Sequence, residues 1–144
     1  MAATSQVSMY YPKARESLEK YVKIVRTDTT AFVAGALPKD AVVTGLYVIG
    51  HVASDAATTA VVSIGTTTSA NEILASFDVK TAATGEGYSP AGAAAVGSYM
   101  CSKLTADTPI YAKYAETGTA STTGGPWFVK IEYSVVGGGE DIQM

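Results

Sequence analysis

Few side chains in this 144-residue chain have chemistry to offer. There is one histidine, His51, and one cysteine, Cys101. His51-Val52-Ala53-Ser54-Asp55 contains the residue types of a nucleophilic triad, but all within one strand end and turn. A working triad is drawn from separated elements that converge in space. The expectation is therefore a strand-end histidine bonded to backbone or water. A single histidine excludes multi-histidine metal sites, and a single cysteine excludes an intrachain disulfide. Cys101, with only Lys103 on its strand face, reads as a small buried hydrophobe rather than a reactive thiol. Glu72 and Asp78 share a polar strand face but lie too far apart for a glycosidase pair. No GxxxxGKS/T phosphate loop occurs, and Gly85-Glu86-Gly87-Tyr88 lacks the strand–helix setting of a nucleotide fingerprint. Trp127 with Tyr111, Tyr114 and Tyr133 offers a sugar-stacking platform, although aromatics alternating along strands more often form core. No catalytic residue, metal site or cofactor is expected, and the chain does not read as an enzyme.

The elements that must position these residues are strands. Pro126 to Val136 alternates with period two: Trp127, Val129, Ile131, Tyr133 and Val135 on one face, Phe128, Lys130, Glu132, Ser134 and Val136 on the other. That pattern marks a strand with one face on a core and one mostly in water, here a central strand on which the others pack. Earlier strands are expected at Tyr21–Arg26, with Val22 and Ile24 facing in, and at Ala41–Ile49. In the latter both faces are apolar, and Gly45 signals a bulge or a close backbone approach. Expected faces there are Val42, Thr44, Leu46 and Val48 against Val43, Gly45, Tyr47 and Ile49. Thr58–Ile64 follows, then Glu72–Lys80, where a helical stripe competes but the polar alternate face favours a strand with Ile73, Ala75, Phe77 and Val79 inward. Ser98–Leu104 and Thr108–Glu116 complete the set, the latter with Ile110, Ala112 and Tyr114 on one face. Seven or so strands separated by turn signals, with no core helix, predict an all-β antiparallel β-sandwich, jelly-roll-like.

Composition agrees. Hydrophobic residues make up 47% and charged residues 16%, which argues against disorder and leaves uncharged surface for a partner. The net charge of −3 gives no general case for nucleic-acid binding. Residues 1–30 carry a net +2 and the remainder −5. The first residues lack an apolar signal core, and the apolar run Ala41–Val52 is too short to span a bilayer. The organisation is an N-terminal arm over 1–19, a sandwich over 20–136 and a flexible Gly-rich tail over 137–144. The arm is either a frayed terminus or a segment that orders on a neighbour through Tyr10 and Tyr11, beside Pro12, Lys13 and Arg15. The small-residue loop over 81–97, which contains Tyr88, is long enough to be mobile or used for contact.

The segments Val25–Thr30, Leu37–Gly45, Thr58–Gly65, Ile110–Glu116, Gly124–Trp127 and Ile131–Tyr133 together resemble small head proteins of tailed bacteriophages. The resemblance is closest in style to the jelly-roll cement, or decoration, proteins on the outside of the capsid shell, and it covers roughly residues 20–136. It implies a structural virion protein, assembled in the host cytoplasm, that sits on the capsid exterior at subunit junctions and holds the shell against packaged DNA. The implied partners are the major capsid protein and further copies of the chain, without membrane or direct nucleic-acid binding. Contact residues under this reading are Tyr10, Tyr11, Pro12, Lys13, Arg15, Tyr47 and Tyr88. The second reading is a carbohydrate-binding or tail- or fibre-associated sandwich module of a virion.

Overall fold

A computed structural model describes residues 17–50, 52–80, 87–88 and 102–136. Among these, eight strands run in order: β1 (Leu18–Ile24), β2 (Phe32–Leu37), β3 (Ala41–Gly50), β4 (Thr59–Gly65), β5 (Leu74–Asp78), β6 (Gly87–Tyr88), β7 (Thr108–Thr117) and β8 (Trp127–Val135). They form two four-stranded sheets, β1-β8-β3-β6 and β2-β7-β4-β5, in which every pairing is antiparallel. The chain changes sheet at each connection except the β4–β5 hairpin. Eight strands interleaved this way are the jelly roll, a double-sheet solution with Greek-key connections.

β8 occupies the central place its alternation predicts, between β1 and β3. Trp127, Val129 and Ile131 are fully buried, and Tyr133 packs against the same core. Val22 and Ile24 of β1, Leu46 and Val48 of β3, Val62 and Ile64 of β4, and Ile110, Ala112 and Tyr114 of β7 meet them from both sheets. Each large apolar side chain so buried contributes about 2–3 kcal/mol relative to exposure. Trp127 and Tyr114 stack across the sandwich, with ring centroids 5.3 Å apart and planes 6° from parallel.

Three bulges separate the observed strands from simple alternation. In β3 the register slips between Val43 and Gly45, so Thr44 has no partner of its own on β8. Parity reverses there: Ala41 and Val43 face inward before the bulge, Leu46 and Val48 after it. The two expected faces of β3 are thus corrected by one extra residue, at the glycine that signals it. In β5 the three-residue step from Leu74 to Phe77 matches the two-residue step from Ile64 to Val62, so Leu74 joins the core and Ala75 turns partly outward. β2, absent from the strands expected above, pairs with β7 around a bulge at Ala34. β1 begins at Leu18, inside the stretch assigned to the arm. Of the strand expected over Ser98–Leu104, the described part makes a single bridge, Lys103 to Val42.

Candidate docking surface

The outer face of the β1-β8-β3-β6 sheet gathers side chains that are neither core nor ordinary charged surface. Alternation along β8 turns Phe128, Lys130 and Glu132 outward. The β3 bulge, by reversing parity, turns Tyr47 and Ile49 to the same side, directly beside Lys130 and Phe128. β1 supplies Glu19, Tyr21 and Lys23 opposite Glu132, Lys130 and Phe128. Three cross-strand rows result: Glu19–Glu132–Gly45, Tyr21–Lys130–Tyr47 and Lys23–Phe128–Ile49.

Lys130 is the fixed point of this face. Its Nζ lies 2.8 Å from Glu19 Oε2 and 3.3 Å from Glu132 Oε2, and 5.0 Å from the centre of the Tyr47 ring. The Glu19 hydrogen bond, reinforced by Glu132, holds its pKa above the ordinary lysine value against the opposing effect of burial. The cation is therefore permanent, charge-neutralised and laid along an aromatic face. Gly45 makes the arrangement possible: a Cβ there would stand 2.7 Å from Glu132 Oε1. Around this ion-paired centre, Tyr21 is 54% exposed, and Phe128, Tyr47 and Ile49 are half-buried. Such a face can dock against a partner.

The second polar constellation lies at one end of the sandwich and serves the fold. The Tyr114 hydroxyl donates to Glu116 Oε2 at 2.7 Å. Its single proton is thereby committed, so Ser54 Oγ, 2.7 Å from the same oxygen, donates to it. Burial raises the Tyr114 pKa, and the Tyr114 and Ser121 hydrogen bonds lower that of Glu116. Glu116 also accepts from the Ser121 amide, and Arg26 Nη1 donates to Ser121 O at 3.0 Å. Asp55 accepts from the Thr123 and Thr122 amides at 2.9 and 2.8 Å and from Thr122 Oγ1 at 2.7 Å, which lowers its pKa to about 2. These carboxylates are spent on holding the β7–β8 loop over the Tyr114–Trp127 stack. Glu72 does the same for another turn: despite burial pushing its pKa up, the Thr67 hydroxyl and the Thr66 and Thr67 amides bring it below the ordinary value.

The sequence-derived candidates distribute unevenly. Tyr47 stands on the docking face. Tyr88 pairs by register with Val48 at the sheet edge. Tyr10, Tyr11, Pro12, Lys13 and Arg15 lie outside the described residues, as do His51, Cys101 and most of the 81–97 loop. Ser54 and Asp55 of the triad-like run bond to different groups, Tyr114 and the Thr122–Thr123 backbone, and share no substrate-facing site. The four-aromatic sugar platform does not form, because Trp127 and Tyr114 are fully buried inside the sandwich. Among the described residues no group of three or more His, Cys, Asp or Glu side chains is placed to hold a metal. Nothing in the sequence singles out Tyr21, Phe128 and Lys130. Their signal is the outward half of two alternating strands, which becomes a surface only once β1 is known to pair with β8.

No protein-family model matches the chain, and no curated protein matches it. In structure it is similar to a chain of the cyanophage Pam1 capsid asymmetric unit, with a TM-score of 0.59 and 18% identity over 85% of this chain and 86% of that one. It is also similar to a chain of the acidic stable capsid structure of Helicobacter pylori bacteriophage KHP30, with a TM-score of 0.58 and 14% identity over 84% of this chain and 89% of that one. The two-sheet jelly roll described above is thus a fold present in two phage capsid structures.

Proposed function

We propose that this chain is a structural protein of a phage virion, a cement protein that binds the outer surface of the capsid at subunit junctions and stabilises the shell. The observation that carries this reading is the fold likeness, which spans most of the chain in both capsid structures. The outer sheet face supports it. Tyr21, Tyr47, Phe128 and Ile49 provide apolar contact area, and Lys130 is already ion-paired with Glu19 and Glu132, so docking there does not leave that cation unpaired. The major capsid protein is the proposed partner of this face, together with the arm residues Tyr10, Tyr11, Pro12, Lys13 and Arg15 and with Tyr88 of the loop. Many copies on one lattice convert modest single contacts into firm attachment. Burial of Trp127 and Tyr114, and the commitment of Asp55, Glu72 and Glu116 to loop backbone, favour this non-enzymatic role over a sugar-binding one.

Cryo-microscopy of intact particles tests the proposal. The expected result is density shaped as this sandwich on the shell exterior, with the β1-β8-β3 face toward capsid subunits. Density confined to the tail or fibres would transfer the protein to the second reading. Particles lacking the protein would overturn both.

A further inference from the structure

The two sheets leave four edges, and three are blunted. β2 is bulged at Ala34 and β5 between Leu74 and Phe77, while β6 is two residues long. Among the described residues, β1 alone presents an edge of seven residues in unbroken register with its neighbour, β8, without proline or bulge. No backbone hydrogen bond from any other described residue reaches its outer edge. Edges of this kind are templates for another strand, and proteins normally disrupt them. An inward-pointing charge is one such device, but Lys20, the charge on the inner side of β1, is folded away: its Cε and Nζ lie against the Cα of Gly35, where a Cβ would meet them at 2.5 and 2.7 Å.

The sequence of β1 is complementary to itself. Glu19-Lys20-Tyr21-Val22-Lys23 places an anion two residues before Tyr21 and a cation two residues after it. Antiparallel pairing of two copies centred on Tyr21 sets Glu19 opposite the partner's Lys23, twice by symmetry. It also sets Tyr21 opposite the partner's Tyr21, and Leu18 opposite the partner's Ile24. Opposite charges and aromatic pairs directly across a ladder are the favourable combinations. A two-fold contact made by one surface on itself closes at two copies.

We propose that β1 is a self-pairing edge: two copies join β1 to β1, making one continuous eight-stranded sheet from the two β1-β8-β3-β6 sheets. The outer face then becomes a single band, Tyr47–Lys130–Tyr21 running into the same three residues of the second copy.

The test needs only the purified chain, so its outcome is independent of any shell. Sedimentation velocity is run over a concentration series on the wild type, Glu19→Lys, Lys23→Glu and an equimolar mixture of the two variants, with circular dichroism checking that each is folded. The expected result is a concentration-dependent wild-type dimer. Each variant alone should dimerise about tenfold or more weakly, because two attractive pairs become repulsive. The mixture should recover, because opposite charges then face each other again at both symmetric positions. A wild type that stays monomeric to near-millimolar loading would overturn the proposal. So would a trimer, a dimer that both substitutions leave unchanged, or a mixture that fails to recover.

Discussion

Replacing Tyr114 by phenylalanine removes one oxygen and leaves the Trp127 stack in place. That oxygen is the node of the network closing one end of the sandwich. It donates to the Glu116 carboxylate, accepts from Ser54 and lies 3.4 Å from Ser121 Oγ. A hydrogen bond to a charged acceptor contributes about 1.5–3 kcal/mol, and a buried hydroxyl left without an acceptor costs about 1–3 kcal/mol. Ser54 is nearly fully buried and retains only the Ala56 amide as a partner, so its proton is stranded. The two effects overlap, because Ser54 can rotate and Glu116 keeps the Ser121 amide. A destabilisation of about 2–4 kcal/mol at pH 7 follows, which for a domain of this size lowers Tm by roughly 6–14 °C. The loss depends on pH in a defined direction. Tyr114 holds the Glu116 pKa below its ordinary value, so its stabilising effect is fully present above that value and fades as pH falls through the depressed one. The gap between wild type and Tyr114→Phe should therefore narrow in acid. Urea denaturation followed by Trp127 fluorescence at several pH values measures it. A change below about 0.5 kcal/mol at pH 7, within the range of ordinary surface substitutions, would refute the assignment of this network as the closure of the sandwich end.

Asp55→Asn removes the charge and one of the two acceptor oxygens that grip Thr122 and Thr123, leaving weaker neutral hydrogen bonds; hydrogen exchange at those two amides should accelerate while β8 core amides are unchanged. Because the Asp55 pKa is lowered from 3.8 to about 2, the wild-type advantage should be complete above about pH 4 and lost as pH falls toward 2. Gly45→Ala should displace the movable Glu132 carboxylate at a cost of about 1 kcal/mol or less in denaturation experiments, with the Lys130 pKa moving back toward the ordinary lysine value by NMR titration. Ile131→Ala, in the fully buried stripe of β8, should cost about 2–5 kcal/mol; a loss under about 1 kcal/mol would mean that β8 is not central. Deleting residues 1–16, which leaves β1 whole, should preserve the thermal transition and weaken shell binding; unchanged binding would remove the arm from the contact surface.

Period-two alternation is a local property, and wherever pairing is uninterrupted it puts residues on the right face. Trp127, Val129 and Ile131 of β8, Ile110, Ala112 and Tyr114 of β7, and Val22 and Ile24 of β1 are all inward. A bulge is defined by the partner strand, so its consequences are not legible in one strand's residues. Gly45 announces an irregularity, but only pairing with β8 shows that Thr44 is the extra residue and that Leu46 and Val48, rather than Val42, continue the inward row of Val43. β2 is hidden in the sequence because Phe32-Val33-Ala34-Gly35-Ala36-Leu37 does not alternate; its bulge and small residues are accommodated by the β7 pairing. In the Tyr114 network, Ser54 and Tyr114 are 60 residues apart in the chain, and no spacing rule connects them.

The β3 bulge also ties fold to surface. Without the extra residue, Tyr47 and Ile49 would lie on the inward side in place of the smaller Leu46 and Val48, which would turn outward. With it, the outer face gains an aromatic ring beside Lys130 and an aliphatic side chain beside Phe128. Gly45 serves both ends of this link: it completes the bulge and leaves the space for the carboxylate that holds Lys130. Removing the bulge should therefore damage packing and docking together. Removing only the outward groups, as in Tyr47→Ala with Phe128→Ala, should impair docking while leaving the buried core intact. Comparing the thermal transition and shell binding of those two classes of variant separates a face selected for contact from one that is merely the back of the core.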